Sequence, residues 1–456
     1  MGDTSVNHSA RFAVTSIALA SLWLGPWASA TASDLRVGAA AVNVVADDAM
    51  VIGGGIGPGK ATGQEGELRA VATVVEKPGD GKLALVACDV LFVERDFVDA
   101  ALRRIDNSTG IAPQRILVSA THTHHAPTTA TLHGYEREVE FVRRLEDAIV
   151  ASVEQADRNL GEPGAEVLFE LGEEKTVGAN SRVLLSDDSI WWIGSLDDAV
   201  RSTGPFDPEL PVLAFRDRHK LRAVLYNHAT HTIGTRTPGV RSPSFYGLAA
   251  QELEAQLGAP VAFFEGASGS THNITGVPVD EAVRRMKRAV RQALAEAEPV
   301  EVTRLESIKR PFTFRVRTFD ESVEDDKVAR YCRKRAPAHA DKIIEVFRDM
   351  RKTLEPDQGK ERSTVLQAMA LGEVAIVGVP AEYFTLFGVD IKRRSPFKHT
   401  IVIELANDWI GYLPDREAHR LGGYQTWMGL HSYAEPGTGE RVADEVVSML
   451  EELARK

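Results

Sequence analysis

The chain has 456 residues, with 53 Lys and Arg against 65 Asp and Glu and so a formal charge of −12. Its 43% hydrophobic and 26% charged residues lie near the globular average, which excludes a disordered or collagen-like chain. A negative balance with no long Lys/Arg run argues against nucleic acid as a partner, because phosphate backbones need concentrated positive charge.

Arg11 precedes an apolar stretch at 12–24, and small residues follow up to Ala32. That order predicts a signal peptide over 1–32, cut after Ala30 or Ala32, since the stretch is too short for an ordinary spanning helix. The mature chain, 33–456, is then expected to be secreted or periplasmic, where ATP and NAD are scarce. Apolar strands at 83–93 and 115–120 alternate with amphipathic helices at 95–104 and 139–160. Strands are predicted at 166–171, 190–196, 212–216 and 223–226, then a helix at 248–257, a strand at 261–264 and a helix at 280–297. A hairpin-like region, 301–318, leads into a charged segment, 321–360, that reads as a solvated helical insertion or lid. Strands at 366–371, 374–379 and 400–405 and a helix at 439–453 close the chain. No segment repeats, and no Pro/Ser-rich linker divides the chain. The expectation is a single large mixed α/β domain with its site at the C-terminal ends of strands. Cys88 and Cys332 are the only cysteines, too few for a disulfide framework and without zinc-finger spacing.

Gly54-Gly55-Ile56-Gly57-Pro58-Gly59-Lys60-Ala61 approaches a phosphate-binding P-loop. Ala61 stands where the magnesium-binding hydroxyl belongs, so the run reads as a glycine-rich loop beside a pocket. Gly266-Ala267-Ser268-Gly269-Ser270 approaches a nucleophile elbow, but Ser270 replaces the last glycine, and a small-residue turn at a strand end is the better reading. Thr121-His122-Thr123-His124-His125 sets three imidazoles after the strand at 115–120, and in an extended segment His122 and His124 face the same side. Tyr226-Asn227-His228-Ala229-Thr230-His231 again sets histidines at a strand end. Two strand ends that each deliver imidazole point to a zinc site of the catalytic type. Glu382, directly after the strand at 374–379, is the candidate carboxylate unless it caps the next helix.

Thr121-His122-Thr123-His124 resembles the T-H-T-H motif of neutral ceramidases. Asn227-His228-Ala229-Thr230-His231 resembles their N-x-x-x-H segment, and Gly378-Val379-Pro380-Ala381-Glu382 their G-x-P-x-E segment. Asn407-Asp408-Trp409-Ile410-Gly411-Tyr412 is similar to their N-x-x-x-x-Y segment, and Pro436-Gly437-Thr438-Gly439-Glu440 to the end of their catalytic domain. The matches keep the family's order from about Val37 onward. The resemblance implies one Zn2+ per chain held by His122, His231, Glu382 and Tyr412, with His124 beside the reacting carbonyl and Arg182 near the substrate. Two departures stand out. The family's G-D-x-S-P-N loop is here Gly266-Ala267-Ser268-Gly269-Ser270-Thr271-His272-Asn273, and Ser181 interrupts the family's Asn-Arg pair ahead of Arg182. The family's C-terminal β-sandwich is not expected.

The expected function is that of a secreted zinc hydrolase cleaving an amide bond in N-acyl-sphingosine or another N-acyl substrate, with peripheral contact to a membrane. Zinc acidifies water and polarises the carbonyl, and His124, His272 or a zinc ligand takes the proton. The alternatives are a serine esterase using Ser268 or Ser270, and a non-catalytic zinc- or lipid-binding protein on the same scaffold.

Overall fold

The computed structural model describes residues 34–218 and 220–456; the expected signal peptide, 1–32, lies outside the described residues. Strands β1 (Arg36–Asn43), β2 (Arg69–Lys77) and β3 (Gly81–Cys88) form an antiparallel meander. Helix α1 (Arg95–Thr109) then crosses over, β4 (Ile116–Ala120) joins parallel to β3, and α2 (Val139–Arg158) follows. Gly110, with φ 70°, stops α1 in the left-handed conformation that glycine adopts without a Cβ penalty.

The same order returns twice. In the second unit β5 (Glu166–Glu173), β6 (Glu209–Asp217) and β7 (Lys220–His228) are antiparallel, α3 (Ser244–Leu257) crosses over, β8 (Val261–Glu265) pairs parallel to β7, and α4 (Val279–Glu296) follows. A short β9 (Glu298–Val300) extends that sheet beyond β5. The third unit opens with β10 (Leu305–Arg315) and a helical hairpin, α5 (Glu321–Arg335) and α6 (Ala340–Leu354). It continues with β11 (Glu361–Leu371), β12 (Val374–Gly378), the crossover α7 (Thr385–Arg394) and β13 (His399–Ile403), parallel to β12. Short α8 (Arg416–Leu421) and the closing α9 (Thr438–Arg455) complete it. The sequence shows no repeat, but the architecture repeats three times.

Side-chain alternation along the strands explains how three such units share one domain. Leu83, Leu85 and Ala87 of β3, Ala262 and Phe264 of β8, and Val374 and Ile376 of β12 all turn into one central core. The alternate residues turn outward to each unit's own helices: Ala84 and Val86 toward α1 and α2, Val261 and Phe263 toward α3 and α4, and Ala375 and Val377 toward α7 and α9. Each sheet is therefore covered on both faces, as its nearly continuous apolar strands require.

Three expectations change. Residues 190–196 are not a strand but a loop, and Trp192 stacks on Tyr424 with centroids 4.5 Å apart, so the apolar run serves an aromatic cluster. The region at 301–318 is not a hairpin: β9 belongs to the second sheet, and β10 pairs with β11 across the inserted helices. The charged segment is solvated on one side only, because Val328, Cys332, Ile343, Ile344, Phe347 and Met350 are buried in the first unit's helical core. Cys88 and Cys332 are both buried free thiols. Among the described residues no helix is long and apolar enough to cross a membrane.

Phe215 of β6 is fully buried where the three sheets meet. Phe215→Ala is expected to destabilise the protein by about 3–5 kcal/mol, through lost burial plus the cavity left behind. Urea unfolding followed by circular dichroism measures it.

Candidate active site

β4 ends at Ala120, and the chain turns at once: His122 has φ 60°, a left-handed conformation that costs of order 1–3 kcal/mol and persists only where the surroundings enforce it. The segment is therefore not extended, yet His122 and His124 still converge, with their Nε2 atoms 3.3 Å apart. His231 arrives from the end of β7, its ring centroid 4.5 Å from that of His122. One ring nitrogen from each of the three lies within 4.8 Å of the others.

Hydrogen bonds on the far side of each ring fix the tautomers. Nδ1 of His122 lies 3.0 Å from the Leu91 carbonyl, Nδ1 of His124 3.0 Å from that of Gly54, and Nδ1 of His231 3.0 Å from that of Ser268. A carbonyl oxygen only accepts, so each Nδ1 carries the hydrogen and each Nε2 turns a bare lone pair toward the others. Metal-binding histidines are anchored in this way.

Glu382 and Tyr412 complete the convergence. They are partners across a short parallel ladder of Glu382–Tyr383 with Tyr412–Leu413. Glu382 Oε2 lies 3.5 Å from His122 Nε2 and 3.4 Å from His231 Nε2, and the Tyr412 hydroxyl lies 3.0 Å from His231 Nε2. Two ligands about 2.1 Å from one tetrahedral ion stand roughly 3.4 Å apart, so these spacings suit a single zinc ion. Glu382 does not cap α7; Ser270 Oγ accepts the N–H of Thr385, the helix's first residue. Its Oε1 accepts the Trp409 indole N–H at 3.2 Å.

The two motif-like loops act as supports. A Cβ on Gly54 (φ 101°) would stand 2.7 Å from the His124 ring, so the glycine-rich loop closes on an imidazole rather than on phosphate. A Cβ on Gly269 would stand 2.4 Å from the Glu382 carbonyl, which explains the small residues at 266–270. Ser268 is no nucleophile. It is buried, its Oγ donates to Glu404 Oε1 at 2.6 Å, and its histidine neighbour's Nδ1 already carries a hydrogen bonded to the Ser268 carbonyl. Ser270 is also buried, with its Oγ donating to Thr385 Oγ1 and accepting from the Thr385 N–H. The serine-esterase alternative is thereby overturned.

Glu404 and Glu265, which sequence reasoning missed, lie beneath this loop. Burial raises Glu404 to about 8, and burial together with Glu404 raises Glu265 well above the carboxylate range. Their signal in the sequence is an acid directly ending an apolar strand, Phe263-Phe264-Glu265 and Val402-Ile403-Glu404.

The cluster floors a cavity of about 570 Å3. His124, His231, His272 and Tyr412 line its floor, and Trp191, Trp192, Ile193, Ile233, Ile343 and Tyr424 make its walls largely apolar. The His272 ring stacks on His231 with centroids 4.0 Å apart. Arg182 does not reach this space, against expectation. Only 2% exposed, it spends its guanidinium on Gln425 Oε1 and the Ala418 and Gly422 carbonyls, so it braces the wall to which Gln425 belongs.

No protein-family model and no curated protein matches the sequence. Solved structures do share the fold. Neutral ceramidase from Pseudomonas aeruginosa superposes with a TM-score of 0.71 over 92% of this chain and 75% of its own, at 18% identity. A ceramidase complexed with C2 gives a TM-score of 0.73 over 93% of this chain and 76% of its own, also at 18% identity. The chain thus has the neutral-ceramidase fold, and about a quarter of those proteins' length has no counterpart in it.

Trp409→Phe deletes the N–H that Glu382 Oε1 accepts while keeping an aromatic ring. It is expected to weaken metal affinity by about 10- to 100-fold, as loss of a ligand's hydrogen-bond partner does. Titration of the metal-loaded protein with a competing chelator measures this, and unchanged affinity would show that Trp409 does not hold the carboxylate.

Proposed function

We propose that the protein is a zinc-dependent hydrolase that cleaves the amide bond of an N-acyl lipid of the ceramide kind. The observation that carries this reading is the closure of Nε2 lone pairs, a carboxylate and a phenol on one point at the floor of an apolar cavity. His122, His231, Glu382 and Tyr412 would hold the ion. A zinc ion in this donor set supplies Lewis acidity, polarising a carbonyl oxygen and acidifying water. The solved structures with this fold are ceramidases, and carrying that activity over to this chain is part of the proposal.

His124 has the role that its tautomer allows. With Nδ1–H committed to the Gly54 carbonyl, its Nε2 presents a lone pair at the cavity floor, so it accepts the proton of the attacking water. The same proton then passes from the imidazolium to the leaving nitrogen as the C–N bond breaks. The apolar walls take the acyl chain and exclude water from the reacting carbonyl, which strengthens every polar contact there. Export completes the reading, since Arg11, the apolar stretch and the small residues to Ala32 form a signal peptide.

Purified protein is expected to hydrolyse N-acyl-sphingosine only when metal is bound, losing turnover with a chelator and regaining it with zinc. His124→Ala should keep its zinc by elemental analysis while kcat falls about 100-fold or more. Turnover by metal-free protein would overturn the reading, and bound zinc with no turnover on any N-acyl substrate would favour the non-catalytic alternative. Mass spectrometry of exported protein should find a terminus near Thr31 or Ser33, and Met1 at the terminus would contradict export.

A further inference from the structure

Beside the catalytic cavity lies a second recess of about 750 Å3 with a different lining. Six cations line it, Arg317, Lys327, Arg330, Lys334, Arg335 and Arg420, against the single acid Asp187. In a chain of net charge −12 this is a local inversion of sign. The cations come from β10's exit, from α5 and from α8, so the fold rather than a sequence run gathers them.

Five of the six cations already have a carboxylate partner. Lys327–Glu324 and Arg330–Asp326 are same-helix pairs at 2.7 and 2.8 Å, Arg420–Glu417 is another, Lys334 pairs with Asp187, and Arg335 meets Asp198 with both guanidinium ends. Arg330–Asp326 and Arg420–Glu417 are exposed on both sides, of the surface type that contributes roughly 0–1 kcal/mol and yields easily to a stronger anion. Arg317 differs: among the described residues no carboxylate lies within ion-pair distance of it. Its Nη2 donates to the Thr426 carbonyl at 3.0 Å, its Nη1 meets His419 Nδ1 at 3.2 Å, and its buried Nε has no partner. Burial first, and then the cations Arg317, Arg182, Arg416 and Lys327, push His419 down to about 3. Glu324 acts on Arg317 only at a distance. A largely buried guanidinium that no carboxylate touches is costly, and a bound anion relieves that cost.

We infer that this recess is a binding site for a phosphate group, either free or carried by a small molecule or a lipid headgroup. A phosphate monoester brings a charge near −2 and three acceptor oxygens, enough to meet cations from several elements at once. A monocarboxylate meets only one or two. The volume suits a small organic phosphate rather than a bare ion alone. The site is separate from the metal centre, and the residues at 422–427 form the partition: Gly423, Thr426 and Trp427 face the recess, while Tyr424 and Gln425 face the catalytic cavity. The inference does not rest on the proposed amidase activity.

Isothermal titration with sodium phosphate, at constant ionic strength and with a chelator present to silence the metal centre, tests it. The expected dissociation constant is about 1 mM or tighter, with no heat from acetate under the same conditions. Arg330→Gln with Arg420→Gln removes two cations whose pairs are exposed on both sides and should weaken phosphate at least ~10-fold without moving the thermal midpoint, as surface pairs allow. Arg317→Lys keeps a charge but loses the guanidinium fork and should weaken it as well. Glycerol 3-phosphate binding marks a small-molecule source. Sedimentation with phosphatidylcholine vesicles only when they contain phosphatidic acid, lost in the double variant, marks a headgroup source. No phosphate heat, equal binding of acetate, or unchanged affinity in all variants would overturn the inference.

Discussion

Three imidazoles with their lone pairs turned on one another form an arrangement that ordinary folding forces do not produce. The carbonyls of Leu91, Gly54 and Ser268 accept hydrogen bonds and cannot donate them, so His122, His124 and His231 are all held with Nδ1 protonated. The Nε2 atoms of His122 and His124 then approach to 3.3 Å with no hydrogen between neutral rings. Such an array is repulsive until a cation or added protons enter it. The left-handed backbone of His122 and the burial of Glu382 are further costs gathered at the same point. Energy stored in this way is characteristic of a site whose ligand belongs to the folded state.

The scaffold that bears this cost is built three times over. Each unit contributes a parallel strand pair, β3 with β4, β7 with β8 and β12 with β13, and the donors follow the ends of those strands. His122 and His124 come after β4, His231 after β7, Glu382 after β12 and Tyr412 after β13. The second contribution is less visible. In every unit the connection between the first and second strands reaches the cavity mouth: Gly54 to Ile56 in the first, Trp191 to Ile193 in the second, and His339, Lys342 and Ile343 in the third. Strand ends supply chemistry and the three long connections supply walls, which separates the constraint on the donors from the freedom to vary what the cavity admits.

This division also explains what could be seen in the sequence. The ends of β4, β7 and β12 were legible because an apolar strand stopping at a cluster of His or Glu is a local pattern, and local patterns survive without an alignment. Tyr412 was legible only through a family motif, since its partnership with Glu382 is a cross-strand register that no spacing encodes. The loop at 190–196 was misread because an apolar run looks the same whether it lines a cavity or fills a strand. Arg182 carried no sign that its charge would be spent on the Ala418 and Gly422 carbonyls, more than 200 positions away in the chain. The threefold architecture was invisible because each unit satisfies the same alternation with different apolar side chains, Leu83 and Leu85 in one and Val374 and Ile376 in another.

The inserted hairpin of the third unit joins these levels. Its high charge suggested a solvated lid, yet its two helices have unequal tasks. α6 turns Ile343 and Lys342 to the catalytic cavity, and α5 turns Lys327, Arg330 and Lys334 to the cationic recess. Between the two spaces stand Tyr331, Trp427, Tyr424 and Trp192 in edge and stacked contacts, with Trp192 and Tyr424 only 3° from coplanar. Close-packed aromatic layers transmit displacement rather than absorbing it, because interiors have few voids and low compressibility. One aromatic layer walls both spaces, with Tyr424 and Gln425 facing the catalytic cavity and Tyr331 and Trp427 facing the recess.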